Sequence, residues 1–457
     1  MKNLSRSLNI ILIISISFTG SLYGYNIGAM SGALLLLKSQ MALSHFQASL
    51  FVSAFLWGII LAMVISGYLT EAFGRKRIVI LASIVALLAS LITLSANDIE
   101  QLFIGRLLSG IAGGMLSLTV PVYLSETLPS SLRGRGTVAF QLFITFGILL
   151  ATLISWHSVH ANLWQLIFIF ELIPVGIVIA ISIMIPESPH WLVNKNKPEH
   201  ALQILMATRS REVAEQTLLN IIKNKRLHQN ISHFRAFFQK HFFLPLLLAI
   251  SLSALNQLTG INVFLQYDST ILFMSGFDQH NTALVGSVII TALNFFMTIF
   301  AICIADYFER KRLLQFGLVG IIICLCSISI AHHFIENLHT RAFLVTILLL
   351  GFIVFFAIGP GALVWTLMTE ILPTKIRSIG VSIALFIGST MGALFAAAFL
   401  PLQQVIGFSG IFLFCTLTTS LYLVVSCFIP KTNKRSLEEI EKGISSKEAS
   451  VKCPINN

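Results

Sequence analysis

The sequence predicts an all-α polytopic membrane protein, with twelve transmembrane helices in two pseudo-symmetric six-helix bundles. Three observations predict it. Hydrophobic residues fill 56% of the 457 positions and charged residues only 11%, too few charges to coat a soluble protein of this size. Apolar runs of about 20 residues recur along the chain, each long enough to cross a bilayer as a helix that satisfies its own backbone. Phrases also repeat: ETLPSSLR at 126–133 returns as EILPTKIR at 370–377, and Pro186 and Pro430 keep the same separation.

Six spans fall near 8–30, 47–69, 77–96, 102–124, 137–157 and 163–185. Six more fall near 242–266, 282–305, 312–333, 342–368, 379–400 and 408–429. The first is too long for the apolar core of a signal peptide and has no small-residue cleavage site, so it counts as membrane. Between the two sets, KPEHALQILMATRSREVAEQTLLNIIKNK places apolar residues at helical intervals and ends in a basic cluster. That pattern predicts short amphipathic helices against the cytoplasmic face. Beyond about residue 432 only SLEEIEK has an apolar period, and the segment reads as mostly disordered. The chain therefore divides into a six-helix bundle over 1–186, a linker over 187–241, a second bundle over 242–430 and a tail over 431–457.

The net charge of +11 invites a nucleic-acid partner, but its placement argues for membrane topology instead. With both termini on one side, all of the 30 Lys and Arg fall on that side except Lys38, Arg106 and Arg341, and Arg106 lies inside a span. This is the positive-inside rule, and it places both termini in the cytoplasm. Of the six cysteines, Cys303, Cys324, Cys326, Cys415 and Cys427 sit in apolar spans and Cys453 in the tail, which suits small packing residues rather than disulfides. No metal-ligand cluster, nucleophile elbow or phosphate loop is present, so nothing points to an enzyme or a cofactor.

The repeats carry a functional reading. Each half places Glu, Pro and Arg where its fourth span enters the cytoplasm and its fifth begins. A second loop phrase, GYLTEAFGRKR at 67–77, is echoed by ADYFERKR at 305–312. Helix-ending prolines and basic loops are common, but two loop types at matching places indicate parallel repeats. That architecture belongs to transporters that rock two bundles about a central site.

At this point the sequence resembles the sugar porter family of the major facilitator superfamily, from about residue 20 to 441. The matching phrases begin with YGYNIGAMSGAL (23–34), GYLTEAFGRKR (67–77), GRLLSGIAGGMLSLTVPVYLSETLPSSLRG (105–134) and QLFITFGIL (141–149). They continue with PESPHWL (186–192), NQLTGINVFLQY (256–267), GPGALVW (359–365) and PKTNKRSLEEIE (430–441). The resemblance implies the major facilitator fold and transport of a monosaccharide or polyol, with the lipid bilayer and a small sugar as partners. It fixes no oligomeric state, and a monomer is compatible with it.

In that family the repeated loops form the cytoplasmic gate. The resemblance gives this role to Glu71, Glu126 and Glu370 with Arg75, Arg133, Arg310 and Arg377, as pairs that bridge the two halves when that side is closed. A partly wet pair contributes below about 1 kcal/mol, so such a latch is reversible. The simpler reading is that the arginines only fix topology, but acidic partners inside a positive loop favour the gate. Two positions depart from the family: Glu71 stands where Asp is usual, and Glu309 where Gly is frequent, which puts the tightness of that turn in question.

A sugar offers hydroxyls that both donate and accept, so its site calls for amides and an aromatic face. Gln141 in span five, Asn256, Gln257 and Asn262 in span seven, Asn294 in span eight and Trp365 in span ten match family positions that contact sugar. A lone amide in a span is more often a helix–helix hydrogen bond. Gln257 and Asn262, flanking the TGIN phrase, favour the cavity. Thr259-Gly260 and Gly359-Pro360-Gly361 read as hinges. Asn256 replaces the first Gln of the usual pair, Gln266 the first of two tyrosines, and Ser389 an expected tryptophan. These changes predict a roomier, less aromatic site than one for glucose, and leave pentoses, other hexoses and polyols open.

Proton-driven members carry an Asp in the first span where this chain has Asn26, as in facilitative glucose transporters. Its family partner Arg106 is still present, and a buried arginine costs about 2.5–3.5 kcal/mol on insertion scales, so it needs a partner. Glu171 in span six is the only acid the predicted boundaries place deep in a span. It is a candidate proton site, with structural pairing to another helix the favoured alternative. Facilitated diffusion is the expected mode. A drug or organic-ion exporter would lack PESPHWL, QLTGIN and PKTNKRSLEEIE. A sugar sensor would carry a longer signalling tail than 431–457. Short loops point to a plasma membrane, specifically a bacterial inner one.

Overall fold

The computed structural model describes residues 2–228, 240–277, 280–304, 308–372 and 377–429, and all regular structure among them is helical. Two compact units divide the chain, Met1–Ile231 and Ser232–Asn457.

The first unit contains α1 (Lys2–Ser17), α2 (Gly20–Gln40), α3 (His45–Phe73), α4 (Arg75–Leu94), α5 (Ile99–Thr127), α6 (Ser130–His160) and α7 (Gln165–Met184), followed by the short α8 (Pro189–Asn194), α9 (Pro198–Thr208) and α10 (Arg211–His228). The predicted first span thus becomes two helices, α1 and α2, parted at Phe18 and Thr19. Helix starts are set by local chemistry. Ser44 and Gln47 form a reciprocal capping box at α3, and the Asp98 carboxylate accepts the Gln101 N–H at 2.8 Å to open α5.

Close helix approach is written in glycines. On α2, Gly20, Gly24 and Gly28 lie against the backbone of Phe140, Ile144 and Ile148 on α6, and Gly32 against Ser155, with no room for a Cβ at any of them. Gly58, Gly110 and Gly114 do the same between α3 and α5. Lipid supplies no hydrophobic drive for helix pairing, so this backbone-close dispersion contact is what joins the helices.

The linker helices pack on a small core of their own, with Leu192, Val193, Ala201, Leu205, Ala214 and Ile221 buried. They are tied to the bundle by hydrogen bonds. Asn9 Nδ2 donates to Thr208 O at 3.0 Å, and Arg209 Nη2 donates to Leu128 O at 2.9 Å, at the end of α5.

The second unit holds α11 (Lys240–Leu258), α12 (Ile261–Ser275), α13 (His280–Ile304), α14 (Arg310–Phe334), α15 (Leu338–Phe356), α16 (Ala362–Ile371) and α17 (Arg377–Phe428). Among the described residues eleven helical stretches are long and apolar enough to span a membrane. The last, α17, covers both predicted segments 379–400 and 408–429, and its two helices meet at Gly407, whose φ of 67° is non-helical. The twelve expected crossings are therefore present in number. A π-turn over Ala357–Gly361 joins α15 to α16, where Gly359 and Gly317 of α14 touch so closely that a Cβ on either would sit within 2.8 Å of the other's Cα. Proline and glycine thus interrupt predicted span ten, between α15 and α16, at the Gly359-Pro360-Gly361 phrase.

Candidate functional site

The amides of predicted span seven meet at the break between α11 and α12. Helix α11 ends at Leu258, Gly260 takes the left-handed φ of 92°, and α12 restarts at Ile261. Only a residue without Cβ adopts this conformation cheaply. Across the break, Asn262 Nδ2 donates to Gln257 Oε1 at 2.6 Å, and Thr259 Oγ1 donates to Asn256 O at 2.7 Å. The amide bond fixes polarity: the Gln257 NH2 remains to donate and the Asn262 Oδ1 to accept. Two adjacent sugar hydroxyls present the complementary pattern. Gly392 of α17 leaves the space that Gln257 occupies, since a Cβ there would come within 3.2 Å of Gln257 Oε1.

The remaining predicted contacts are more dispersed. Asn256 is 9% exposed, and its Oδ1 finds no hydrogen-bond partner. Asn294 is buried on α13, while Trp365 on α16 is 48% exposed. Gln141 is half-buried on α6 of the first unit. Among the described residues no hydrogen bond joins Asn294 or Trp365 to the amide pair. Gln266 is fully buried, and its Nε2 donates to Asn262 O at 3.0 Å.

In the first unit the three coupling candidates form one chain. Arg106 Nη1 donates to Asn26 Oδ1 at 2.7 Å, and Nη2 donates to Asn26 O at 3.1 Å. Asn26 Nδ2 in turn donates to Glu171 Oε1 at 2.8 Å. Helices α2, α5 and α7 are thereby linked through side chains that are 5%, 0% and 1% exposed. The guanidinium also lies 5.0 Å from the Phe55 ring centroid. An amide suits the middle position because one end accepts from a cation and the other donates to an anion. An aspartate there would set two carboxylates against each other.

Among the described residues, two of the expected loop charges pair within each unit. Arg75 pairs with Glu126 at 2.8 Å, with both side chains largely buried, and Ser188 Oγ also donates to Glu126. Arg310 pairs with Glu370 in the second unit. Glu71 keeps its carboxylate in no ion pair among the described residues, and its backbone carbonyl accepts from Trp191 Nε1 at 2.9 Å. The side chains of Arg133 and Arg377 lie outside the described residues. Glu309, at φ −66°, opens α14 without a left-handed turn and pairs with Arg312 at 3.0 Å. Its counterpart Gly74 has φ 102°, so the two loops use different backbone turns to start equivalent helices.

Three features escaped the sequence reading. Asp268 on α12 is 2% exposed, so Glu171 is not the only buried acid. The predicted span stopped at 266, whereas the restart at Gly260 carries the helix to Ser275. Glu187, visible within PESPHWL, accepts the backbone N–H groups of Arg75 at 2.8 Å and Lys76 at 3.2 Å, completing the start of α4. The third is a repeat of lysines. Lys76 Nζ donates to Ile183 O at 2.7 Å, and Lys311 Nζ donates to Cys427 O at 2.7 Å and Ile429 O at 2.8 Å. Each lysine satisfies carbonyls at the end of the last long apolar helix of its own unit, α7 or α17.

Comparison with known proteins identifies the family. A family model described as "Sugar (and other) transporter" matches residues 12–443. The glucose transporter GlcP of Staphylococcus epidermidis is 32% identical over 429 residues, covering 92% of this chain and 94% of its own. The arabinose-proton symporter of Bacillus subtilis is 29% identical over 453 residues, covering 96% of both. The inward open structure of the xylose transporter XylE from E. coli superposes with a TM-score of 0.80 at 22% identity, over 95% of this chain and 99% of that one. At that identity the superposition speaks for the fold alone, and the sequence matches carry the rest. The chain is a multi-pass membrane protein that belongs to the sugar porter family of the major facilitator superfamily.

Proposed function

We propose that the protein moves a monosaccharide (hexose, pentose or polyol) across a bacterial plasma membrane by alternating access and facilitated diffusion, with both termini cytoplasmic. The observation that carries the sugar is the Gln257–Asn262 amide pair at the left-handed break. It offers one oriented donor at the end of α11 and one oriented acceptor at the start of α12, on either side of the Gly260 break. The Arg75–Glu126 and Arg310–Glu370 pairs hold the loops of each half in shape, so that the halves meet and part as formed surfaces.

The mode rests on Asn26. Its amide already engages both Arg106 and Glu171, so the cation and the anion are matched without a mobile proton. The test is uptake into proteoliposomes with a panel of labelled monosaccharides and polyols, with and without an inward proton gradient. Equilibration of one sugar, without accumulation when the gradient is imposed, is the expected result. Accumulation would overturn facilitation, and failure to move any sugar would overturn the substrate class.

A second reading, proton symport through Glu171, is favoured by one observation: the carboxylate lies 2.8 Å from Asn26 at the heart of the unit. The Asn26→Asp variant separates the two readings. It sets a second carboxylate beside Glu171 and one arginine, so the pair must share a proton. That variant should gain gradient-driven accumulation that the parent lacks, bounded at about tenfold per unit of pH gradient for one coupled proton. A parent that already accumulates sugar, and loses this in Glu171→Gln, would establish the second reading.

A further inference from the structure

Helix α12 carries a polar line that the Gln257–Asn262 pair does not exhaust. Asn262, Gln266 and Thr270 follow at four-residue steps, so their side chains stack along one helix face. Gln266 is 0% exposed and Thr270 4%. The Gln266 amide is oriented, because its Nε2 donates to Asn262 O at 3.0 Å. Its Oε1 and the Thr270 Oγ1 are both buried without a hydrogen-bond partner.

Thr270 is unusual for a threonine in these helices. Thr152, Thr291, Thr298 and Thr416 each donate to the carbonyl four residues back, at 2.7–3.0 Å, and on α12 itself Ser275 does the same to Ile271 O at 2.6 Å. Thr270 has the same option at Gln266 O and does not take it. Its hydroxyl is left as a donor one turn from an acceptor that has no donor. Side chains at this spacing stand about 5–6 Å apart at Cβ, a gap that one hydroxyl oxygen fills by accepting from one and donating to the other. A buried donor and acceptor left unmatched destabilise a fold, which argues for a state in which both are matched.

We propose that Gln266 and Thr270 are a hydroxyl-reading pair, binding one hydroxyl of the transported sugar outboard of the Gln257–Asn262 amides as α12 tilts about Gly260. The proposal rests on the monosaccharide reading above and adds a specificity determinant to it. A water molecule has the same donor–acceptor chemistry, and the test tells the two apart. The pair rejects a sugar that lacks the hydroxyl, because both protein groups then stay unmatched.

The experiment compares uptake of the best-transported sugar with that of its monodeoxy analogues, in the unsubstituted protein and in Thr270→Val, Gln266→Leu and Thr270→Ser. Thr270→Val removes only the hydroxyl at nearly constant volume, so it reports even where Gln266→Leu does not fold. The unsubstituted protein should disfavour one deoxy analogue by about 10-fold or more in kcat/KM. Thr270→Val should bring that ratio to within about 3-fold, by loss on the full sugar, and leave the ratios for the other analogues unchanged. Thr270→Ser should retain the discrimination. Equal losses for every analogue, or an unchanged profile, would mean that the pair holds water or serves packing and would overturn the proposal. If the unsubstituted protein moves no monosaccharide, the transport reading itself falls, and the pair with it.

Discussion

Replacing Glu171 by leucine should cost the folded protein about 3–5 kcal/mol, because it leaves a buried guanidinium without its counter-charge. Arg106 is fully buried, its Nε already lacks a partner, and the Asn26 amide would lose the acceptor that holds its orientation. The loss should appear as a large fall in thermal stability in detergent and as little or no uptake. Glu171→Gln, which keeps an acceptor oxygen, should lose less. The decisive comparison is with the double variant Arg106→Met with Glu171→Leu, which removes both charges and should recover most of the stability lost by the single change. A Glu171→Leu protein as stable as its parent would show that the Arg106–Asn26–Glu171 chain is not the electrostatic unit its geometry describes.

The second large effect concerns the sugar. Gln257→Leu should lower kcat/KM by about 30- to 100-fold, the equivalent of two hydrogen bonds, with little change in stability. One is the bond the amide NH2 makes to sugar. The other is indirect, since without Gln257 Oε1 nothing fixes which end of the Asn262 amide faces the ligand. Asn256→Ala, by contrast, should fall within about threefold of the parent, because Asn256 orients no neighbour. Sugar-dependent thermal stabilisation of the purified protein measures the binding part directly. A Gln257→Leu protein that is stabilised by sugar as well as its parent would remove the amide pair from the site.

Much of the fold is visible in the chain because a membrane allows few solutions. Apolar length gives the crossings. Boundaries were harder wherever a helix is broken internally. The TGIN phrase marks the break at Gly260, but an apolar count could not show that the helix restarts and buries Asp268 beyond it. Site chemistry was legible by residue type and not by partner. Glu126 and Arg75 stand out as charges at helix ends, yet only folding shows that they meet each other and Ser188. The lysines of the two GRKR-like loops look like topology signals alone, and in fact also close helix ends. Gln266 was legible as an amide in place of an aromatic, but its burial and its bond along its own helix were not, since they depend on packing.

The glycine face of α2 has a consequence for how the protein is made. That helix is synthesised early, yet the ridge it fits, through Phe140, Ile144 and Ile148, belongs to α6. The acid that completes the Asn26 network is later still, on α7. At about 5–20 residues per second, α2 waits roughly 5–30 seconds on the ribosome with its bare backbone groove and a polar amide unclaimed. During that interval neighbouring lipid, a translocon wall or a membrane chaperone must shelter it. Biogenesis defects should therefore concentrate in substitutions on the α2–α6 seam, even where the mature protein would tolerate them.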